Sequence, residues 1–408
     1  MNLAIDFLNI LSDFGDEWVI THLESDIKDK IVYIHLEYKG DKYFDPDTDE
    51  ECTYYDLAPE REWRHLDIWD YKTYVRSRIP RMKTPSGLVK TMRCGWAEPH
   101  HRHTCSFEIK VIDTLKATKN QTKTGALLGS SFRIVNAIMH GSTQRGLERR
   151  NLKIYEIEDI SIDEKSFKKG HKYVTVISHP RSGCVLDVGE DRDERSTTDL
   201  LRKTFTKNQL SNIKTVCMDM WKSYMNAVNK CIPDAEIVHD KFHLIKYLND
   251  AIDSIRRREV HDNEILKYGR YTLLKNEENR TVFQQELFEE IMKTNLVVTK
   301  AHYAKETFKS LFNQHNDDYQ ATESLKMWAQ TFFMYKIPEL NKVILQFLSH
   351  SKGVINAIIS TFTNAMAERL NGKIQEIKVC SRGYRTFQNF RSAILFFQGG
   401  LNLYPLKW

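Results

Sequence analysis

The stretch from Ser360 to Ile377 constrains the fold most, because its spacing predicts a helix with two different faces. Apolar residues at Leu370, Ile374 and Ile377 can pack inward from one side. Polar residues recur at helical intervals and therefore share another side. A single carboxylate in such a stripe is more often a solvated surface group than a functional one. The stripe consists of Asn364, Glu368, Asn371 and Gln375.

Two aspartates upstream change the interpretation of Glu368. Asp163 follows the alternating, β-like residues 159–162, and Asp219 follows the β-like residues 215–218. Reactive groups collect at strand ends in sheets that helices cover. Carboxylates that are distant in sequence but close in space suit Mg²⁺ or Mn²⁺, and two such ions can assist phosphoryl transfer. We therefore predict that Asp163, Asp219 and Glu368 are catalytic and that together they bind the metal.

The sequence around the two aspartates predicts a mixed sheet covered by helices, of the α/β class. Residues 260–355, in contrast, predict only helices, so an all-helical segment interrupts the α/β region. The predicted strands lie near 158–163, 172–178, 183–189, 213–218 and 235–239, and the predicted helices between them at about 197–210, 221–231 and 242–259. The helices predicted in the later segment lie at about 280–293, 296–313, 320–335 and 338–349.

The first part of the chain predicts different structures. Residues 1–28 predict an amphipathic helix followed by a loop, with Leu3, Phe7, Ile10 and Leu11 at helical spacing. Short β-like segments follow, from Ile31 to about Phe107, with turn residues between them. The chain as a whole is thus expected to be a mixed α+β, multidomain protein.

Residues 107–150 predict helices that include a helix-turn-helix. Gly125 supplies the small residue where two helices cross, and Gly129 permits the tight turn. An ordinary pair of antiparallel helices is the alternative, but the spacing favours DNA binding. The second helix would then present four residues to a major groove, namely Ser131, Arg133, Asn136 and His140.

Charge and cysteine usage narrow the class of protein. The formal net charge is only +5, but basic residues cluster, which favours a polyanionic partner. The seven cysteines are scattered and form no C-x-x-C pair, which fits a reducing compartment. We find no secretory signal and no run of membrane-spanning length, so a cytoplasmic protein is expected. The basic clusters are Arg145, Arg149 and Arg150; Arg256 to Arg258; and Lys373, Lys378, Arg382, Arg385 and Arg391.

A His/Asp cluster at His239, Asp240 and His243 offers a competing metal site. Zinc could bind such a set of side chains. The more economical interpretation is that Asp240 caps the helix that follows it. The two histidines would then be polar groups that lie near the catalytic site.

Several motifs together resemble bacterial insertion-sequence transposases of the ISL-three type. They are IDEKSFKKGHKYVTVI, VCMDMWKSYMNAV, VHDKFHLIKYLNDAIDSIRRR, TNAMAERLNGKIQEIK and SRGYRTFQNFRSAILFF, with APEREWRHLD and GWAEP in the N-terminal half. The resemblance implies a DDE transposase, with an RNase H-like catalytic domain interrupted by a helical insertion. It assigns Asp163, Asp219 and Glu368 as the first, second and third catalytic carboxylates.

Five regions follow from the motifs and the resemblance together. Residues 1–106 form an N-terminal helix and a β-rich module like a degenerate zinc ribbon, and residues 107–150 the helix-turn-helix. The catalytic domain comprises residues 151–259 and 356–408, on either side of the helical insertion at 260–355. We expect the insertion to have a small core of its own, with apolar residues such as Leu287, Ile291, Leu311, Phe332 and Ile344.

One departure from the family concerns zinc. Family members carry cysteines near the N-terminus where this chain has Asp45, Thr48, Thr84 and Gly87. Cys52 and Cys94 remain, but they cannot complete a four-ligand site with those residues. We therefore expect no structural zinc and a module that is held by the packing of Trp63, Trp69 and Trp96. A shared site assembled with His100, His101 and His103 is the less favoured alternative.

The sequence thus predicts a DNA transposase that works as a dimer or larger assembly on DNA, in the bacterial cytoplasm and nucleoid. It would bind the element's terminal inverted repeats, hydrolyse a phosphodiester at each end with Mg²⁺ or Mn²⁺, and join the 3′-hydroxyl to target DNA. Two alternatives stay open: a catalytically silent DNA-binding regulator, and an RNase H-like nuclease without strand transfer. Lys373, Arg382 and Arg385 are further DNA-binding candidates. Trp328 either stacks on an unpaired base or, as base rates favour, packs in the helical core.

Overall fold

The computed structural model describes residues 3–45, 47–151, 157–168, 172–313, 317–361 and 365–406. The chain forms two compact units. The first unit comprises Met1–Leu152, Ile377–Tyr384 and Leu401–Trp408, and the second comprises Lys153–Glu376 and Arg385–Gly400. Within the described residues, no helix combines the length and the apolar character needed to cross a membrane.

The first unit contains two four-stranded sheets and a group of helices. One sheet has the strand order β1-β2-β6-β5, and the other has the order β3-β4-β7-β8. Trp18, Ile34, Trp63, Val75 and Trp96 lie in the core of the unit, next to the first sheet. The elements are α1 (Leu3–Leu11), β1 (Trp18–Asp26), β2 (Ile31–Tyr38), β3 (Tyr43–Phe44), β4 (Glu51–Leu57), β5 (Arg61–Arg64), β6 (Lys72–Ser77), β7 (Pro80–Lys83), β8 (Val89–Thr91), α2 (Cys105–Thr118), α3 (Gln121–Leu127) and α4 (Phe132–Asn151).

Two predictions for the first unit are wrong. The helix predicted over residues 1–28 ends at Leu11, and residues 18–26 instead pair with β2 as a strand. Gly15, at φ 96°, lies in the connection and adopts a backbone conformation that favours glycine. Of the apolar residues expected to pack, Phe7, Ile10 and Leu11 are exposed. Trp69 is 91% exposed at a turn between β5 and β6, so only Trp63 and Trp96 belong to the core.

The helices α2 to α4 contain the predicted helix-turn-helix. Gly125 is buried, and a Cβ atom at this position would lie 2.7 Å from the backbone oxygen of Ser130. Gly129 has φ 55°, in the left-handed region. Both glycines are therefore required by the turn itself, whether or not the motif binds DNA.

The second unit is built on a five-stranded sheet with the order β11-β10-β9-β12-β13. The strand β10 runs antiparallel to both β9 and β11, whereas β12 is parallel to both β9 and β13. Alternating apolar residues of β9 and β12 pack against helices on one face of the sheet, as expected for period-two strands. The elements are β9 (Asp159–Lys168), β10 (Lys172–Ser178), β11 (Val185–Glu190), α5 (Glu194–Thr204), α6 (Lys207–Asn212), β12 (Thr215–Met218), α7 (Lys222–Cys231), β13 (Glu236–His239) and α8 (Lys241–Glu259).

The remaining elements of the second unit are helices. The last turn of α15 belongs to the first unit. The predicted separate core of the helical segment is wrong, because its apolar residues join one cluster with Val238, Leu244 and Ile252 of the sheet region. The α-helices are α9 (Gly269–Leu274), α10 (Val282–Met292), α11 (Val297–Ser310), α12 (Asp318–Phe333), α13 (Pro338–Ser349), α14 (Ser351–Ile359), α15 (Ala365–Cys380) and α16 (Phe387–Gln398). Short 3₁₀ turns lie at Glu264–Leu266, Glu277–Asn279 and Leu311–Asn313.

Candidate active site at one edge of the five-stranded sheet

Three aspartates occupy neighbouring register positions at the level where β12 and β13 end. Met218, the last residue of β12, is in register with Ile162 of β9 and with His239 of β13. The next residue in each chain segment is an aspartate, namely Asp163, Asp219 and Asp240. The backbone N–H of Asp240 also donates to the Met218 carbonyl at 2.9 Å. The edge of the sheet therefore brings together two predicted catalytic residues and the predicted cap of α8.

Asp163 lies within β9 and not at its end, since the strand continues to Lys168. Its Oδ2 atom is 2.9 Å from the Nζ atom of Lys165, and its Oδ1 atom accepts from the backbone N–H of Glu164 at 2.7 Å. The Asp163 side chain is 18% exposed. One carboxylate oxygen therefore has an ammonium partner, while the group as a whole stays within reach of solvent.

Asp219 is held by neutral donors. Its Oδ1 atom accepts from the backbone N–H of Met220 at 2.6 Å and from the Tyr247 hydroxyl at 3.1 Å. Tyr247 lies on α8, the helix that follows β13. This helix therefore fixes the carboxylate at the end of β12. Burial and the adjacent Asp219 charge raise the pKa of Tyr247, which keeps its hydroxyl protonated and able to donate.

Asp240 caps α8, as the sequence predicts. Its Oδ1 atom accepts from the backbone N–H of Phe242 at 2.7 Å, and its Oδ2 atom lies 3.5 Å from Nδ1 of His243. Burial lowers the pKa of His243, but its hydrogen bond with Asp240 and the charges of Asp219, Asp240 and Asp163 outweigh this and raise it. The imidazole therefore lies within electrostatic reach of all three carboxylates.

His239 behaves differently from His243. It is buried, with Nδ1 3.4 Å from the Met218 carbonyl. Burial lowers the pKa of His239 to about 4, so the ring is neutral at pH 7. Its ring also lies against Gly353 of α14, where an added Cβ would approach the imidazole to 2.5 Å. His239 thus packs between β13 and α14, which agrees with the prediction that it is a polar group near the site.

The helix predicted over residues 360–377 is α15. Leu370, Ile374 and Ile377 are buried, which confirms the predicted apolar side. Gln375 is exposed and Asn371 is half-buried, as expected of a polar stripe. Glu368 lies on this helix, but its side chain is outside the described part of the structure, and Asn364 lies outside it altogether. The placement of the third carboxylate beside Asp163 and Asp219 stays a prediction.

Two aromatic side chains that sequence reasoning missed flank the aspartates. Trp221 and Phe242 are the second residues after Asp219 and Asp240, and they are 42% and 46% exposed. The guanidinium of Arg192 lies 4.8 Å from the Trp221 ring and pairs with Glu164 at 2.6 Å. A search for aromatic residues next to strand-end aspartates could have found both.

The four helix-turn-helix candidates have different environments. Ser131 is exposed, and its hydroxyl accepts from the backbone N–H of Ile134 at 3.3 Å, which caps the start of α4. Arg133 is exposed and His140 is half-buried. Asn136 is half-buried, and its Oδ1 atom accepts from Gln121 at 3.0 Å. Arg133 is thus the most accessible long side chain of the four.

Members of all three basic clusters have intramolecular partners, which weakens the polyanion argument drawn from the sequence. Arg145 pairs with Glu108 at 2.7 Å, and Arg149 donates to the Tyr404 carbonyl at 2.6 Å. Arg256 and Arg257 both pair with Asp253, and Arg258 pairs with Glu339. In the third cluster, Lys373 approaches Glu376 at 3.4 Å, and Arg382 and Arg385 are exposed.

Asp45 and Thr84 stand at two of the positions where the family resemblance predicts lost cysteine ligands, and both have polar partners within the chain. Asp45 is buried, and both of its oxygens accept from Nζ of Lys90 at 2.8 Å. In the other turn, the buried Thr84 hydroxyl accepts from the backbone N–H of Leu88 at 3.1 Å. The carboxylate and the hydroxyl satisfy polar groups of the turns, a role for which no metal is needed.

Trp328 lies in the helical core. Its side chain is 3% exposed, its indole N–H donates to the Ala304 carbonyl at 2.9 Å, and its ring packs against Phe308 and Phe347. These contacts favour the core interpretation over base stacking, since a buried indole with a satisfied N–H has no face to offer to DNA.

Comparisons with known proteins place this geometry in context. The model of a family of transposases, the ISL3-type DDE transposases, matches residues 160–394. The chain is 24% identical over 368 residues to the transposase for insertion sequence element IS1557 of Mycobacterium tuberculosis, with 83% of this chain and 82% of that protein covered. It is 26% identical over 348 residues to the transposase for insertion sequence element IS1001 of Bordetella parapertussis, with 81% and 82% covered.

A solved structure also matches at low similarity. It is the Drosophila P element transposase strand transfer complex, at 8% identity and a TM-score of 0.37, with 72% of this chain and 92% of that chain covered. So distant a likeness supports no inference about this protein.

Proposed function

The chain belongs to the ISL3-type DDE transposases, and from this premise we propose that it cuts DNA at the ends of an insertion sequence and joins the freed 3′-hydroxyls to target DNA. The observation that supports this most is the adjacency of Asp163 and Asp219 on neighbouring parallel strands, around the common neighbour His243. Two carboxylates brought together from distant sequence positions are what a phosphoryl-transfer site requires.

Asp163 and Asp219, with Glu368 from α15, would hold the divalent cations of this reaction. The donors fit such ions, because both aspartates offer hard oxygen ligands and neither is fully buried. When bound, Mg²⁺ or Mn²⁺ would stabilise charge on the attacking and leaving oxygens of the phosphodiester. The strand order, three antiparallel strands followed by two parallel ones, supports an RNase H-like catalytic domain.

Neighbouring side chains would position the two aspartates. Tyr247 donates to Asp219 and so restricts the rotation of its carboxylate. Lys165 lies 2.9 Å from Asp163 and limits charge repulsion at the acidic edge. Burial lowers the pKa of His243, but Asp240, Asp219 and Asp163 raise it on balance, which favours the protonated ring beside the acidic edge. All three contributions would keep the carboxylates close together before DNA arrives.

DNA binding would use the exposed residues of the helix-turn-helix and of the chain after α15. Arg133 and Ser131 lie at the start of α4, the helix predicted to enter a major groove. Arg382 and Arg385 are exposed and suit phosphate contacts. Since the element has two ends, a dimer or larger assembly would pair them.

The test is a Mg²⁺-dependent cleavage and joining assay with DNA that carries the inverted repeats flanking the gene. Wild-type protein should yield joined products, whereas Asp163→Asn and Asp219→Asn should yield neither cleavage nor joining and still bind end DNA. The matched control is Asp199→Asn, an exposed aspartate on α5, which should keep activity. Cleavage without joining would instead identify a nuclease, and binding by a wild-type protein that never cleaves would identify a regulator.

A further inference from the structure

A second group of potential metal ligands lies in the first unit, where α2 begins. His101 and His103 precede the helix, and Glu108 lies in its first turn. The Oε2 atom of Glu108 is 3.2 Å from Nε2 of His103 and 3.6 Å from Nδ1 of His101. All three ligand atoms lie within 4.8 Å of one another. Among the described residues, this is the cluster of histidine, cysteine and acidic side chains with metal-ligand spacing.

The distances match those around a tetrahedral ion. Bonds of about 2.0–2.2 Å to imidazole nitrogen and carboxylate oxygen imply ligand-to-ligand edges of roughly 3.3–3.6 Å. The two edges that meet at Glu108, at 3.2 and 3.6 Å, lie within 0.1 Å of this range. The two rings lie 4.8 Å apart between centroids, so a modest rotation would bring the third edge into the same range. Neutral imidazole and carboxylate ligands are typical of Zn²⁺ and similar divalent transition metals.

The surroundings hold these ligands in place. Thr104 caps α2, and the backbone of residues 102–104 bonds to Arg64 of β5, which fixes the position of His103. The side chain of Glu108 is 2% exposed, and its other oxygen accepts from Arg145 at 2.7 Å. Arg145 in turn donates to the Leu403 carbonyl. One carboxylate oxygen is therefore anchored, while the second faces both imidazoles.

One histidine nitrogen gives a further indication. The Nδ1 atom of His101 is buried but has no hydrogen-bond partner, because the 3.6 Å separation from Glu108 is too long. A buried polar atom without a partner costs free energy. A metal ion between the two histidines and Glu108 would satisfy this nitrogen. The His101 side chain is 36% exposed, which leaves a route for the ion and room for a water as a fourth ligand.

We propose that His101, His103 and Glu108 bind one divalent transition-metal ion, with Zn²⁺ as the best-matched species. This site differs from the hairpin turns, where the family's zinc ligands are replaced, and it uses none of the aspartates at the sheet edge. It revises the expectation of a zinc-free first unit. The ion would join the segment before α2 to the helix itself and, through Glu108 and Arg145, to α4.

The experiment uses the full chain with Asp163→Asn and Asp219→Asn already introduced, so that the carboxylates at the sheet edge contribute less to metal binding. After treatment with a chelator and its removal, Zn²⁺ content is measured by elemental analysis, and Co²⁺ is titrated with its visible spectrum as the readout. We expect one ion per chain and a tetrahedral Co²⁺ spectrum. Zn²⁺ should also raise the melting temperature.

The variants are His101→Gln and His103→Gln, which should each weaken Co²⁺ binding at least about tenfold and abolish the thermal shift. The matched control is His100→Asn, because His100 is exposed, lies next in the chain and has φ 64°, which asparagine tolerates. Melting temperatures in chelator verify that each variant folds. Should His103→Gln unfold, the more exposed His101→Gln alone decides. Equal binding by wild type and His101→Gln, or no binding by folded wild type, would overturn the proposal.

Discussion

Asp45 in the first unit and Asp219 in the second differ in their partners. The partners distinguish a structural carboxylate from one that can take part in chemistry. Asp45 is buried, and both of its oxygens accept from Lys90. Asp219 accepts only from a backbone N–H and a tyrosine hydroxyl, and no ion pair joins it to another described residue. The first carboxylate is neutralised from within the chain. The second keeps its charge available for a cation from outside.

Two further aspartates extend the comparison. Asp163 has one lysine at 2.9 Å, while Asp253 is buried and pairs with Arg256 and Arg257. Asp253 therefore resembles Asp45, in a helical region with no proposed chemistry. The comparison implies that partner charge, more than burial, distinguishes the aspartates that can bind metal in this protein.

The largest effect is expected at Asp219. Replacing it with asparagine keeps the size of the side chain but removes the charge, so joining should fall by on the order of 10³-fold or more, as when one member of a catalytic unit is lost. The urea midpoint should stay close to that of the wild type, because only neutral donors lose a partner. Unfolding of the variant would show instead that Asp219 is structural and would break the comparison.

The converse effect is expected at Asp45. Asp45→Asn should lower the urea midpoint, because the Lys90 ammonium loses its buried carboxylate partner and keeps the exposed Asp47, while Asp49→Asn, at an exposed position of the same turn, should not. The hydrogen bond from Lys90 lowers the pKa of Asp45 below its ordinary value of 3.8. Its contribution to stability is therefore present above pH 3.8 and is lost as pH falls through the lowered pKa.

Stability measured against pH tests this sign. The wild type should exceed Asp45→Asn by a constant margin near neutral pH, and the margin should shrink once the pH falls below about 3.8. A margin that grows on acidification would contradict the ion pair. Joining activity at a temperature where both proteins are folded should be similar, since Asp45 takes no part in the proposed chemistry.

A smaller effect is expected at Lys165, which shares Asp163 with any bound cation. Lys165→Met keeps the aliphatic chain and removes the ammonium, so half-maximal activity should need about two- to fivefold less Mg²⁺, as suits a partly exposed pair worth up to about 1 kcal/mol. Lys168→Met, on the same strand but bonded to the Arg385 carbonyl, is the control. An unchanged Mg²⁺ requirement would mean that Lys165 does not compete.

The sequence predicted the sheet region well because its strands alternate and its turns carry clear signals. The strand at residues 172–178 and the helix at 338–349 have the predicted bounds. Local sequence patterns did not predict contacts between residues that are distant in the sequence. The arginines of the first two basic clusters could not be assigned to Glu108, Asp253 and Glu339 from the sequence, because those contacts arise only when the helices pack. The prediction of a helix as far as residue 28 did not take account of Gly15 or of the pairing of β1 with β2.

The sequence predicted some residues of the candidate site and missed others, again because local patterns do not reveal distant contacts. Strand-end position predicted Asp219 directly and Asp163 approximately, since β9 runs five residues beyond Asp163. Tyr247 was missed, although Asp240 fixes the start of α8 and Tyr247 lies two turns further on. The sequence pattern therefore predicts that this helix position lies on the side that faces the strand ends. It does not predict which group the side chain contacts.

The last prediction concerns the joining rate of a Tyr247 variant. Tyr247→Phe removes one hydroxyl that donates to Asp219 at 3.1 Å and leaves the ring in place. One such hydrogen bond contributes about 0.5–1.5 kcal/mol, or more when its acceptor is charged, so joining should fall about three- to tenfold at saturating Mg²⁺. The matched control is Tyr224→Phe, whose hydroxyl contacts Thr175 at 3.1 Å in the core. If Tyr247 only packs, both variants should lose similar stability and retain similar activity. If it positions Asp219, only Tyr247→Phe should lower the joining rate of folded protein, and combining it with Asp219→Asn should add nothing.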